Sequence, residues 1–180
     1  ELIGVTLTDG SRELILGSRG GMAIRFSEGD LRPIGRAAMG VKSMELDADD
    51  RVVAMSVVEE GAEVLAITEL GYGKRTAIDE YRVQARAGKG ILAMRLMDKT
   101  GYLAGQMLVT EGEDILVITD DGTIIRTPVE KIPILGRATQ GVRVMRVGDG
   151  SRIASFERAE AEEDDDDTEE TAEAEKDEEI

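Results

Sequence analysis

The fold is decided by the stretch from Glu63 to Leu96, which reads EVLAITELGYGKRTAIDEYRVQARAGKGILAMRL. It consists of an apolar run, a glycine turn, a basic run, a basic loop and a second apolar run. Short runs of β-branched and aliphatic residues bounded by glycines are typical of β-strands. The same plan occurs once before this stretch and once after it, so the sequence predicts three copies of one small β unit.

The three copies keep a common register, with offsets of 50 and 51 residues between equivalent positions. Each copy has an opening acid, a turn glycine, an arginine, a second arginine and a closing glycine. In copy order these are Glu13, Glu63 and Asp114; Gly21, Gly71 and Gly122; Arg25, Arg75 and Arg126; Arg36, Arg86 and Arg137; and Gly40, Gly90 and Gly141. Repeats of this length with about four short strands each predict β-propeller blades.

The copies span residues 13–58, 63–109 and 114–156, and Leu2–Thr8 matches the closing strand of a copy. A propeller ring usually has roughly four to eight blades, so we expect further blades upstream. The expected domain is an all-β partial propeller over residues 1–156, built from blades of four strands each and almost free of helix. In the middle copy the strands are expected near Leu65, Thr76, Ala93 and Met107.

The formal net charge of −16 is concentrated at one end of the chain. Residues 157–180 hold 15 acidic and 2 basic residues, whereas residues 1–156 hold 23 acidic and 20 basic ones. A low-complexity run of like charges has little to bury, so we expect residues 157–180 to form a disordered acidic tail.

Missing residue types exclude several functions. The sequence contains no Cys and no His, which excludes disulfides, thiolate zinc sites and imidazole chemistry. For the same reason we expect no metal site. The sequence also has no long apolar run, so we expect a soluble, cytoplasmic protein without a membrane contact. Asp79 and Glu80 are adjacent, and adjacent strand residues point to opposite faces, which argues against a catalytic carboxylate pair.

Residues 71–96 carry six basic and two acidic residues. An edge strand often carries Lys and Arg only to prevent aggregation, and this structural role is the alternative to a binding role. Repetition of the arginines in three copies favours a functional basic band on the propeller rim, which suits a bent polyanion. Gly88 and Gly90 flank Lys89 and permit a close phosphate, although Ile91 stands where a Walker A loop needs Ser or Thr.

Four runs resemble a known family, namely Gly71–Arg75, Glu80–Arg82, Gln84–Gly90 and Gly136–Arg143. They are similar to the C-terminal domain of the gyrase A protein of DNA gyrase, and the resemblance covers residues 1–156 in register. The family has a seven-residue box, Gln-Arg-Arg-Gly-Gly-Lys-Gly. The matching residues here are Gln84, Arg86, Gly88, Lys89 and Gly90. Alanines replace the other two, so the resemblance implies a degenerate copy of the box, with the true box upstream.

The resemblance implies a six-bladed β-pinwheel of which this chain holds the last three blades, with a basic rim that wraps DNA regardless of sequence. It implies support for ATP-dependent negative supercoiling, with no catalysis by these residues and the catalytic tyrosine elsewhere. ATP and Mg²⁺ would act in other domains, and no cofactor is expected here. The implied partners are double-stranded DNA, the gyrase B protein and a second copy of the gyrase A protein, on the nucleoid in the bacterial cytoplasm. The candidate DNA-binding residues are Arg25, Arg36, Lys42, Lys74, Arg75, Arg82, Arg86, Lys89, Arg126, Arg137 and Arg143.

Other classes stay open. The corresponding protein of topoisomerase IV has related blades, although the box-like motif and the acidic tail favour gyrase. A non-catalytic propeller that binds proteins, or a histone-chaperone-like module whose acidic tail is the active part, is the alternative from a different class. A propeller glycosidase is disfavoured because no inner carboxylate repeats. The tail itself is either an autoinhibitory competitor of DNA or a solubilising appendage.

Overall fold

The computed structural model describes residues 2–160, which form eleven β-strands and three short 3₁₀ turns, with no α-helix in that range. The strands are β1 (Glu13–Ser18), β2 (Met22–Ser27), β3 (Val52–Val57), β4 (Glu63–Thr68), β5 (Tyr72–Ala77), β6 (Ile91–Leu92), β7 (Leu103–Val109), β8 (Glu113–Thr119), β9 (Ile124–Pro128), β10 (Val142–Arg143) and β11 (Ile153–Glu160). The 3₁₀ turns are Glu28–Asp30, Ile78–Glu80 and Val129–Lys131. The all-β prediction is confirmed.

The strands form three antiparallel sheets, one for each copy, which we call blades 1 to 3. Their strand orders are β3-β1-β2-β6, β7-β4-β5-β10 and β11-β8-β9. The central hairpin of each blade reverses at a turn glycine with positive φ, at +82° for Gly21, +83° for Gly71 and +86° for Gly122. Glycine adopts this conformation without the steric penalty of a side chain, which explains why these three positions repeat.

The outermost strand of blades 1 and 2 comes from the next copy of the repeat. β6 belongs to the second copy and pairs with β2, and β10 belongs to the third copy and pairs with β5. The closing glycines permit a strand of one copy to join the sheet of the preceding copy. A Cβ on Gly90 would lie 2.2 Å from the carbonyl oxygen of Ala23, and a Cβ on Gly141 would lie 2.5 Å from that of Gly73. No side chain fits at such distances, so a glycine is required wherever a copy crosses to the preceding blade.

Each blade has a central edge and a rim edge. β3, β7 and β11 lie beside one another at the centre, whereas β6 and β10 lie at the rim. The apolar core fills the space between neighbouring blade faces, with Ile15 and Val64 in the first interface and Ile67 and Val117 in the second. Tyr81 is 1% exposed and packs in the first interface, so it is a core residue.

Two segments near the start of the described residues lack the strand pairing that their sequence suggests. Leu2–Thr8 matches a closing strand in sequence but is exposed and outside any strand. Its equivalents β3 and β7 pair with the first strand of their own copy, and residues 2–12 contain no such first strand. Residues 41 and 42 correspond to β6 and lie outside any strand, because residues 2–160 contain no blade ahead of blade 1 for them to pair with.

In the middle copy, Leu65, Thr76 and Met107 lie in β4, β5 and β7, and Ala93 follows β6 directly. β11 continues to Glu160, four residues past the point where the sequence suggests that the tail begins. Residues 161–180, and with them the predicted disorder of the tail, lie outside the described residues.

Candidate nucleic-acid interface

The first repeated arginine of each copy is held by an internal ion pair. Each arginine pairs across the central hairpin with the acid that opens its own copy. The pairs are Arg25–Glu13 at 2.6 Å, Arg75–Glu63 at 2.5 Å and Arg126–Asp114 at 2.7 Å. The repeated acids are therefore the partners of the repeated arginines, and this pairing explains why both recur in register.

Two of these arginines also donate hydrogen bonds to backbone carbonyls of the next copy. Arg25 Nη1 donates to the carbonyl oxygens of Ile78, at 2.9 Å, and Tyr81, at 3.1 Å. Arg75 Nε donates to the carbonyl oxygen of Ile132 at 2.6 Å, and Ile132 is the third-copy equivalent of Tyr81. The sequence pattern predicts Arg25, Arg75 and their equivalent in the third copy as DNA contacts. The structure gives them a structural role, and we leave them out of the interface.

The second repeated arginine also joins neighbouring copies. We call residues 31–46, 81–96 and 132–147 the outer segments; each turns at its arginine before reaching the rim. Arg86 Nη1 donates to the carbonyl oxygen of Lys42 at 2.8 Å, and Arg137 Nη1 donates to that of Leu92 at 2.9 Å. Lys42 and Leu92 are equivalent positions, so in both cases the arginine donates a hydrogen bond to the backbone of the preceding outer segment. Arg36, the equivalent arginine of the first copy, is exposed.

Lys74 is not at the surface either. Its side chain is 0% exposed, and Nζ donates to the carbonyl oxygens of Gly136, at 2.7 Å, and Arg137, at 2.6 Å. Burial lowers the pKa of Lys74 to about 8, because desolvation disfavours the charged amine. A buried amine cannot reach a phosphate on the rim, so Lys74 is also left out of the interface.

The box-like motif joins the first two outer segments. Ala87 has a φ of +68°, and its N–H donates to the carbonyl oxygen of Ser43 at 2.7 Å. The carbonyl oxygen of Gly88 accepts from the N–H of Glu45 at 2.9 Å. Lys89 projects from this turn with 68% of its side chain exposed. The motif therefore fixes the backbone of two copies and presents Lys89 to solvent.

The outer segments form a continuous basic path along the rim. The first and second are joined at the box-like motif, and the N–H of Arg95 donates to the carbonyl oxygen of Thr139 at 3.0 Å, which joins the second and third. The three segments carry three, four and three basic residues and only one acidic residue, Glu45. The remainder of residues 1–156 is strongly acidic by comparison, so the positive charge of the body is gathered at its rim.

Several cations on this path are exposed. Five of the DNA contacts predicted from the sequence are exposed and lie on the path, namely Arg36, Lys42, Arg82, Lys89 and Arg143. Lys89 lies 3.4 Å from Asp47, but both side chains are solvated and such a pair is weak.

Arg143 is oriented by Tyr72. Its Nη2 donates to Tyr72 Oη at 3.1 Å, and its guanidinium lies 5.3 Å from the centre of the tyrosine ring. The same hydrogen bond lowers the pKa of Tyr72. Arg143 is exposed and lies in the rim strand β10.

Arg95 and Arg146 join the path but are not among the contacts predicted from the sequence. Both are exposed, and each follows a buried methionine, Met94 or Met145, at the same register. Successive side chains of an extended segment point to opposite sides, so a cation next to a buried methionine must face outward. The repeated methionines are the signal that could have identified these two arginines.

Among residues 2–160, no cluster of three His, Cys, Asp or Glu is arranged to hold a metal ion, and no helix is long and apolar enough to cross a membrane. Glu80 is used structurally, because its Oε2 accepts from the N–H of Arg137 at 3.1 Å.

The chain matches the family described as DNA gyrase C-terminal domain, beta-propeller, over residues 12–59, 62–105 and 113–160. It is 43% identical over 159 residues to the DNA gyrase A protein of Haloquadratum walsbyi, covering 87% of this chain and 19% of that protein. It is 40% identical over 158 residues to the DNA gyrase A protein of Salmonella typhimurium, covering 88% of this chain and 18% of that protein.

Solved structures show the same likeness. The C-terminal domain of DNA topoisomerase IV matches with a TM-score of 0.82 at 26% identity, over 87% of this chain and 49% of that one. The DNA gyrase A C-terminal domain matches with a TM-score of 0.79 at 25% identity, over 84% of this chain and 52% of that one. The three ranges of the family match follow the three copies, so the similarity concerns the repeated blades.

Proposed function

The chain belongs to the DNA gyrase C-terminal domain family, and we propose that it binds and bends duplex DNA along its rim without reading the base sequence. The observation that carries this proposal is the continuous basic path formed by the three outer segments. The proposed phosphate contacts are Arg36, Lys42, Arg82, Lys89, Arg95, Arg143 and Arg146.

A curved row of cations suits DNA bending for an energetic reason. DNA has a persistence length of about 150 bp, and bending a short site smoothly costs on the order of 1–6 kcal/mol. Contacts to successive phosphates offset that cost and carry no sequence information. Blades arranged around a centre place such contacts along an arc, which favours a bent duplex over a straight one.

The chain spans 19% and 18% of the two curated relatives named above, so the activity of the whole protein is part of the proposal. We place the chain in a type II topoisomerase that uses wrapping to introduce negative supercoils. The catalytic tyrosine and the use of ATP and Mg²⁺ are assigned to other domains. The gyrase B protein and a second copy of the gyrase A protein are the proposed protein partners, in the cytoplasm with the nucleoid.

Topoisomerase IV is the second candidate, because a C-terminal domain of that enzyme matches this fold with a TM-score of 0.82. The curated relatives at 43% and 40% identity are gyrase A proteins, which favours gyrase. The full-length protein, combined with its ATPase partner, decides between the two: negative supercoiling of relaxed plasmid supports gyrase, whereas relaxation and decatenation without supercoiling supports topoisomerase IV.

A DNA titration at two salt concentrations tests the proposed function directly. The chain is expected to bind duplexes of unrelated sequence with equal affinity, and to lose about 0.9 log units of affinity per tenfold rise in salt for each phosphate contacted. A protein-binding module would instead prefer a basic protein such as a histone to DNA. Absence of DNA binding at low salt, together with binding to the basic protein, would replace the proposal with that alternative.

Removal of the acidic tail is expected to raise DNA affinity at low salt, if the tail competes with DNA for the rim cations. A tethered polyanion acts at high effective concentration, and salt screens it as it screens DNA. The truncation belongs after Glu160, because Arg126 Nη2 donates to the carbonyl oxygen of Glu160 and β11 should stay whole. A tail of equal length with Gln and Asn in place of its acids separates charge from length. Equal affinities for all three proteins would leave the tail a solubilising appendage.

A further inference from the structure

Lys74 is a buried cation that the proposed interface does not use. Its amine is enclosed between β5 and the third outer segment, and its two hydrogen bonds go to successive carbonyls, those of Gly136 and Arg137. The charged groups that act on it from the surrounding elements are Glu80, which favours the protonated amine, and Arg137, which disfavours it. Burial of an amine is costly, so its presence in this interface calls for an explanation beyond packing.

The corresponding junction between blade 1 and the second copy is apolar. Ile24 takes the place of Lys74 there and is also 0% exposed. It packs beneath the box-like motif, since a Cβ on Gly88 or Gly90 would lie 3.9 or 3.3 Å from atoms of Ile24. An aliphatic side chain therefore suffices to seat an outer segment, and Lys74 adds two directed hydrogen bonds that the first junction lacks.

These hydrogen bonds hold the turn of the third outer segment. The turn closes with the N–H of Thr139 donating to Gly136 at 3.2 Å, so the Gly136 carbonyl serves both the turn and Lys74. Thr76 Oγ1 donates to the neighbouring Leu135 carbonyl at 2.7 Å. Downstream of this turn, the same segment carries Arg143 to the rim.

We propose that Lys74 is a positioning residue that fixes the turn of the third outer segment against blade 2, so that the cations following the turn lie on the DNA path. With respect to DNA this inference rests on the proposed function. Lys74 acts through the Gly136 and Arg137 carbonyls and touches no phosphate.

The test combines amide hydrogen exchange with DNA titration for Lys74→Met. Loss of the two hydrogen bonds is expected to raise exchange at the Arg137 and Thr139 amides about tenfold or more. DNA affinity should fall several-fold. The matched control is Lys89→Met, an exposed lysine of the path, for which exchange at the turn should stay unchanged and the salt slope should fall by about 0.9.

A pH titration supplies a readout that packing alone would not give. The pKa of Lys74 is lowered from 10.5 to about 8, so the unfolded chain binds its proton more tightly than the folded chain. The free energy of unfolding should therefore gain a contribution that rises with pH between these two values, and this contribution should vanish in Lys74→Met. A neutral amine still donates two hydrogen bonds, so the turn should stay closed throughout.

Unchanged exchange at the turn in Lys74→Met would overturn the inference, as would a salt slope reduced by one full contact, which would make Lys74 a phosphate ligand. Lys74→Ile, which copies the first junction, replaces the methionine variant if that variant does not fold. If the wild-type chain fails to bind DNA, the proposed function fails, while the exchange experiment still decides whether Lys74 holds the turn.

Discussion

Replacement of Arg75 by Met is expected to lower the free energy of unfolding by about 3–5 kcal/mol, the usual effect of removing one partner from a buried ion pair. The side chain of Arg75 is 6% exposed and that of its partner Glu63 is 17% exposed. The variant leaves the Glu63 carboxylate without its cation and the Ile132 carbonyl without its donor. For a domain of this size the melting temperature should fall by roughly 10 °C. Chemical denaturation followed by circular dichroism gives the free energy, and a thermal scan gives the melting temperature.

The matched control for Arg75→Met is Arg82→Met, which removes an exposed arginine seven residues away. Surface changes of this kind usually shift stability by no more than about 0.5 kcal/mol. The double variant Glu63→Met with Arg75→Met should recover part of the loss, because it no longer buries an unpaired carboxylate. A loss in Arg75→Met as small as that in Arg82→Met would show that the pair is not structural and would return Arg75 to the list of DNA contacts.

The fold follows from the sequence because its determinants are local. Turn glycines such as Gly71 need only their own backbone conformation, and short apolar runs such as Glu63–Thr68, which is buried on both faces, are bounded by turn signals. Both recur at a fixed offset, so the number of blades and most strand positions could be predicted.

The exchange of rim strands could not be predicted from the sequence. β6 and β10 are two residues long, and strands this short would fit the edge of either neighbouring blade equally well. The choice depends on Gly90 and Gly141 approaching a carbonyl of the preceding blade, which is a long-range contact. The pairing of residues distant in sequence leaves no trace in periodicity.

The prediction that the first repeated arginines contact DNA is replaced by a structural role, for a physical reason that the sequence does contain. Arg25 and Arg75 each follow an acid, Glu13 or Glu63, by 12 residues, the separation at which two strands of a hairpin bring side chains together. A cation that recurs together with an anion indicates an internal pair. A cation that recurs without an anion is the better candidate for binding an external anion, and Arg95 and Arg146, which occupy equivalent positions in the second and third copies, are of this kind.

Replacement of the rim cations Lys42, Arg82, Lys89 and Arg95 by Gln is expected to weaken DNA binding by roughly three orders of magnitude near 0.1 M salt. Each lost phosphate contact removes about 0.9 from the salt slope, so the slope should fall by about 3.6 when all four contacts are lost. The loss should be equal for duplexes of different sequence, since phosphate contacts carry no base information. Fluorescence anisotropy of a labelled duplex across a salt series measures both the affinity and the slope.

The control for the rim variant removes cations from other surfaces. Arg12 is half exposed beside Asp9, and Arg51 is exposed on the loop before β3. Gln at these two positions makes the chain more acidic but should leave the salt slope unchanged, because neither arginine lies on the outer segments. Net charge acts on DNA at long range and is screened, whereas contacts act locally and set the slope. If the off-rim variant lost slope in proportion to its charge, DNA would be attracted by the whole body, and the path along the outer segments would have no special part in binding.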